Sequence, residues 1–221
     1  MKLHTYFRSS ASYRVRIALE LKGLGYEAIP VHLVRNEHLA AAYASRMGDA
    51  LVPALETDDG SWLSQSMAII EYLDETHGGL RLLPGDALSR ARVRALAQMV
   101  ACEIHPLNNL RVLRYLVHEL GVSEEDKSRW YAHWVRSGLE AMERQLDLFD
   151  QQRAASGLAS SPFCWDETPT LADCCLVPQV FNARRFKVAL DGLPRIKAIA
   201  ERCEAMPAFA RAHPSACPDA E

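Results

Sequence analysis

Three serines within four positions, Ser9, Ser10 and Ser12, sit among Arg8, Arg14 and Arg16 in the stretch YFRSSASYRVRIAL. One serine is accounted for as a helix cap, because Ser is among the best N-cap residues. Capping alone does not need three. A helix start also offers free amides and a partial positive charge, which suit an anion. A second cluster, Gln65 and Ser66 in LSQSMAII, combines an amide, a hydroxyl and a helix start, a set that suits a carboxylate; the alternative is an N-cap beside a solvated glutamine. In LVPAL, Pro53 opens a strand and is either an edge residue or a cis turn. A cis bond would aim the amide and carbonyl of Val52 at a peptide-like ligand. CEIHPLNNLRVLRYL gathers His105, Asn108, Asn109 and Arg111 where Pro106 disturbs a helix. NARRFK adds Arg184 and Arg185, for which a solvated helix face is the plainer account. No H-E-x-x-H, G-x-S-x-G or phosphate-binding glycine loop occurs. None of the six cysteines forms a C-x-x-C, so no metal framework is expected.

The elements that must position these clusters fall into two halves. From Met1 to Phe7 the residues alternate with the period of a strand. A helical pattern follows from about Ser12 to Leu24 and breaks at Gly23 and Gly25. YEAIPVHLV reads as a strand, NEHLAAAYASR as a short helix, and LVPALET as a strand. Asp59-Gly60 signals a hairpin turn into SWLS, and QSMAIIEYLDETH is a helix. The order is βαβαββα, a mixed sheet with helices packed on it. GGLRLLPGDALS reads as a linker between a domain over 1–80 and a second over 88–221. The second is all-helical: 89–120 with an interruption near Pro106, 123–152 opened by Ser123, a helix capped by Thr170 and Asp173, and Pro194–Met206. The segment AHPSACPDAE is expected to be irregular. Boundaries between two such domains are common small-molecule sites.

The 221 residues are 49% hydrophobic and 24% charged, the composition of a globular protein. A formal charge of -3 gives no basic excess for nucleic acid. No apolar run reaches membrane-spanning length, and no signal-peptide pattern precedes the first strand. A cytoplasmic protein with reduced thiols is expected.

In a mixed domain of this order, the turn after the first strand is where thioredoxin-like proteins carry C-x-x-C. Here it reads Ser9-Ser10-Ala11-Ser12, so a dithiol redox role is excluded. A thiol could instead arrive on a ligand, with Ser9 or Ser10 donating to its thiolate. YFRSSASYRVRIALELKG, LVPAL, QSMAIIEYLDE, IHPLNNLRVLRYL and TPTLADCCLVPQVFNARRFKV together resemble the zeta class of glutathione transferases, in the expected order over nearly the whole chain. The resemblance implies an α/β thioredoxin-like N-terminal domain, an all-α C-terminal domain, a homodimer and glutathione as cofactor. It implies glutathione contacts at Ser9, His38, Val52, Gln65, Ser66 and His105, and a cis bond at Pro53. The activity implied is cis–trans isomerisation of maleylacetoacetate in aromatic amino-acid catabolism. Ser9 and Ser10 are the candidate catalytic residues, and Arg8, Asn109, Arg111 and Arg185 the candidates for a dicarboxylate substrate. Arg14 and Arg16 are expected to be structural ion-pair partners.

Two features depart from the family pattern. Ala11 stands where eukaryotic members commonly have cysteine, and Met47-Gly48-Asp49 replaces an Asn-Pro-Gln run, putting a negative charge where an amide usually faces glutathione. Three other readings stay open: a maleylpyruvate isomerase, a transferase conjugating or dehalogenating small α-halo acids, and a glutathione-binding protein without turnover.

Overall fold

The computed structural model describes residues 1–48 and 50–221. Strand β1 (Lys2–Thr5) buries Leu3 and Thr5 on one face, as its alternation requires. It pairs in parallel with β2 (Glu27–Pro30) and antiparallel with β3 (Ala54–Glu56), which pairs with β4 (Trp62–Ser64). The sheet order is β2-β1-β3-β4. Helix α1 (Ser10–Lys22) ends on Gly23, whose φ of 66° makes it a left-handed cap. The helical segment expected over 36–46 is shorter: a 3₁₀ turn, Glu37–Leu39, and one turn of α2 (Ala41–Ala44). Helix α3 (Ser66–Thr76) closes the mixed pattern.

The chain divides into two compact units, 1–83 with 204–221, and 84–203. Residues 204–221, grouped on sequence with the helical domain, therefore pack with the first unit. The start of the expected linker also belongs to that unit. The Asp74 carboxylate accepts from the amides of Leu82 and Leu83 at 2.8 and 3.2 Å and pairs with buried Lys22 at 3.2 Å. These bonds join α1, α3 and the chain leaving α3.

The second unit is helical. Helix α4 (Ala87–Gln98) runs into a π-helical stretch, Met99–Ile104, and a 3₁₀ turn, His105–Asn108, before α5 (Leu110–His118). The interruption expected at Pro106 thus begins seven residues earlier, as a register change that satisfies the backbone differently. Helix α6 (Glu124–Ala155) is capped by Ser123, and α7 (Leu171–Arg185) by a complete capping box of Thr170 and Asp173. Burial pushes the Asp173 carboxyl up, against hydrogen bonds from the Cys164 and Thr170 amides. Helix α8 (Pro194–Glu204) follows, then α9 (Pro207–Ala212); the stretch expected to be irregular, 212–221, contains a 3₁₀ turn, Pro214–Ala216.

No described helix is long and apolar enough to cross a membrane, and no group of metal-ligating side chains occurs among the described residues.

Candidate glutathione site

The serine turn is built by the end of β1 and the start of α1. Ser9 is the N-cap: its Oγ accepts the Ser12 amide at 3.2 Å, and its carbonyl accepts the Tyr13 amide at 2.9 Å. A hydroxyl has two lone pairs and a hydrogen, so accepting one bond leaves Ser9 able to donate. Ser9 is half-buried, Ser10 is buried, and Ser12 is fully enclosed with its hydroxyl lacking a hydrogen-bond partner. Of the three serines, Ser9 offers its side chain most openly. Arg8 is exposed, with its guanidinium 4.7 Å from the centre of the Phe7 ring. No acidic residue lies in the first turn of α1 to repel an anion from the helix start.

The second cluster stands at the start of α3. Gln65 takes the N-cap position with φ 66° and ψ 112°, a backbone that side chains other than glycine seldom adopt. Strain of this kind costs about 1–3 kcal/mol and concentrates at ligand sites. Ser66 is buried and accepts from Arg14 Nη1 at 3.3 Å, which ties α3 to α1. The first turn of α3 also lacks an acidic residue. The Val52–Pro53 peptide is cis, and Val52 packs in an apolar cluster with Tyr6, Phe7, Tyr43, Met47 and Cys217. Ser9, Val52 and Ser66 are thus linked through α1 and this cluster. His38 lies in the 3₁₀ turn Glu37–Leu39, after Asn36 with φ 59°.

The expectation for Arg16 is corrected. Its guanidinium is clasped by oxygens of Thr5, Tyr6, Phe7 and Ala212, mostly backbone carbonyls, while Arg14 donates to Ser66 Oγ. Met47, one of the three departures from the family run, fills the apolar cluster at 4% exposure. Asp49 lies outside the described residues.

In the second unit, Asn109 caps α5 by accepting the Arg111 amide at 3.1 Å, and its Nδ2 lies 3.4 Å from His105 Nε2. With the amide donating, Nε2 is the acceptor. Both polar atoms of the Asn108 side chain are buried without a hydrogen-bond partner, so this segment has unused polar capacity. Arg111 is exposed at the start of α5, and Arg185 is exposed at the end of α7 with its guanidinium 4.8 Å from the Phe186 ring centre. They stand on separate helices. A cavity of about 560 Å³ between α5 and α6, walled by Leu116, Val122, Trp130 and Trp134, includes none of the candidate residues.

The segment carrying His105 is seated on a glycine. A Cβ at Gly138 of α6 would come within 2.2 Å of Ile104 Cγ1. Gly138→Ala is expected to destabilise the protein by about 1–3 kcal/mol, the usual cost of overpacking. It should also move the His105 ring, which a change in its NMR shifts would register.

Residues 8–76 match the glutathione S-transferase N-terminal domain family. The maleylacetoacetate isomerase of Pseudomonas aeruginosa is 47% identical over 99% of this chain and 98% of its own length. A solved holo structure of a maleylpyruvate isomerase, described as a bacterial zeta-class glutathione transferase, covers all of both chains at a TM-score of 0.93 and 45% identity. This chain belongs to the zeta class of glutathione transferases. The maleylacetoacetate isomerase of Methylobacterium extorquens AM1, a relative with 35% identity and a TM-score of 0.90 over the whole of both chains, was solved with malonate and glutathione bound. As a zeta-class transferase, the chain has the mixed thioredoxin-like sheet and the helical remainder that the sequence implied. Arg16, whose guanidinium is buried, is the residue that sequence reasoning undervalued, and Asp219, which accepts the Phe7 amide, the one it missed.

Proposed function

We propose that the chain is a glutathione-dependent cis–trans isomerase converting maleylacetoacetate to fumarylacetoacetate. One observation carries the reading. The start of α1 presents the Ser9 hydroxyl and a helix N-terminus, while the cysteine in the apolar cluster with Phe7, Cys217, is buried with its thiol pushed up by burial. This site favours a thiolate without supplying one.

Glutathione is an anion with a thiol and two carboxylates, and the residues fit it. Two helix starts free of acidic residues, joined by the Arg14–Ser66 bond, can receive a thiolate and a carboxylate. Ser9, His38, Val52, Gln65, Ser66 and His105 are the residues assigned to hold it. When bound, it supplies a thiolate that adds reversibly to the substrate's double bond, which becomes single, turns and is restored. Ser9 donates to the sulfur and keeps it deprotonated near neutral pH. Ser10 and the turn amides stabilise negative charge developing on the substrate oxygen, an effect of a few kcal/mol. Arg8 pairs with a substrate carboxylate, with Arg111, Arg185 and Asn109 as further contacts.

Arg8→Ala is expected to raise KM for maleylacetoacetate about tenfold, the loss of one charge-assisted hydrogen bond. A neutral electrophile should be little affected. Equal effects on both would remove Arg8 from substrate binding.

The second reading, isomerisation of maleylpyruvate, is favoured by the likeness to the maleylpyruvate isomerase structure over the whole chain. The deciding experiment follows the absorbance of each maleyl substrate with and without glutathione, counting free glutathione before and after. Glutathione-dependent trans product without consumption supports isomerisation, and the ratio of kcat/KM values chooses the substrate. Consumption with an α-halo acid would mean conjugation or dehalogenation, and binding without turnover would mean a glutathione-binding protein. The reading includes a cytoplasmic homodimer, whose mass sedimentation would check.

A further inference from the structure

The chain entering the serine turn is gripped from two directions. The Phe7 amide donates to Asp219 Oδ2 at 3.1 Å, and the Phe7 carbonyl accepts from Arg16 Nη2 at 3.0 Å. The Ser9 amide then donates to Tyr6 O at 2.9 Å. The two peptides flanking Phe7 are thus held, Tyr6–Phe7 by a carboxylate and Phe7–Arg8 by a buried guanidinium. The opposite charges also interact electrostatically with each other. The other oxygen of Asp219 is buried without a hydrogen-bond partner, so the carboxylate reaches the structure through the Phe7 amide.

Asp219 is itself well placed to act as a brace. Two residues earlier, Cys217 packs with Tyr6, Phe7 and Val52. Two residues later, Glu221 pairs with Arg35 at 2.8 Å and lies 3.3 Å from His32, in the loop leading to His38. Segment 217–221 therefore touches the supports of three separate candidate glutathione contacts: Ser9, Val52 and His38.

We infer that Asp219 is a positioning residue that sets the Arg8–Ser9 turn through the Phe7 amide. The inference rests on the proposed isomerase reading, since it concerns the same turn. A charge-assisted bond to a backbone amide fixes that peptide more firmly than a neutral one. Displacement of a reacting group by about 1 Å can cost up to a hundredfold in rate.

The test compares Asp219→Ala and Asp219→Asn with wild type. Asparagine keeps an oxygen that can accept the Phe7 amide; alanine does not. In Asp219→Ala, kcat should fall by about tenfold to a hundredfold, with KM for the maleyl substrate changing less. The thiol of bound glutathione should titrate at higher pH. The Phe7 amide should exchange with solvent faster. Asp219→Asn should restore all three. Unchanged kcat, thiol titration and Phe7 exchange in Asp219→Ala would overturn the inference. So would an asparagine variant as impaired as alanine while its Phe7 amide stays protected. A wild type inert toward both maleyl substrates would refute the isomerase reading alone, because thiol titration and Phe7 exchange would still decide the role of Asp219.

Discussion

Ser9→Ala is expected to lower kcat about a hundredfold, the scale seen when one preorganised donor to a reacting charge is lost. The thiol of bound glutathione should ionise at higher pH, read by ultraviolet absorbance of the thiolate. The same substitution removes the cap of α1, because Ser9 Oγ accepts the Ser12 amide. That loss should cost about 1 kcal/mol of stability. The two roles separate in Ser9→Asp. Aspartate is an equally good cap, so stability should return. Its carboxylate has no hydrogen to donate and would repel a thiolate, so turnover should not. A thiol titration unchanged in Ser9→Ala would leave Ser9 as a cap only.

Arg16→Leu is expected to cost about 3–5 kcal/mol in urea unfolding. The side chain is buried at 2% exposure and donates to the Phe7 and Ala212 carbonyls at 3.0 Å each, and to Thr5 Oγ1 at 3.0 Å. Leucine would fill much of the volume but leave two carbonyls enclosed without donors, at about 1–3 kcal/mol each. Burial lowers the Arg16 pKa, yet a guanidinium stays charged at any ordinary pH. The loss should therefore be the same at pH 6 and pH 8. Arg16→Lys should recover only part of it, since one ammonium cannot span oxygens arranged for a fork. A cost under about 1 kcal/mol would mean that water satisfies those carbonyls.

The mixed sheet could be read from the sequence because its signals are local: alternation in β1, the Asp59-Gly60 turn, the glycine after α1. The candidate clusters were legible for the same reason. Ser9 with Ser10, Gln65 with Ser66, and His105 with Asn109 are each neighbours in the chain. What escaped reading joins residues far apart. Arg14 meets Ser66 across 52 positions, and Phe7 meets Asp219 across 212. Arg16 escaped for a different reason. A cation on a helix implies an acidic partner, but its acceptors are largely backbone carbonyls, which every residue carries. The π-helical stretch also left no mark, because Val100 and Ile104 continue the apolar spacing of α4 through the change of register. Its trace is Gly138, whose missing side chain makes sense only once Ile104 is seen against it.

The packing of residues 204–221 with the first unit has a consequence for how the protein is made. Synthesis delivers residues 1–83, then the whole of the second unit, and only afterwards Ala212, Cys217 and Asp219. Domains generally fold as units in the order they are made. Here the nascent first unit must wait with the Arg16 guanidinium lacking one of its acceptors and the apolar cluster around Phe7 lacking Cys217. The helical unit, contiguous from 84 to 203, has no such delay. Folding on the ribosome should therefore run against the order of the chain, with the second unit maturing first and the first unit last.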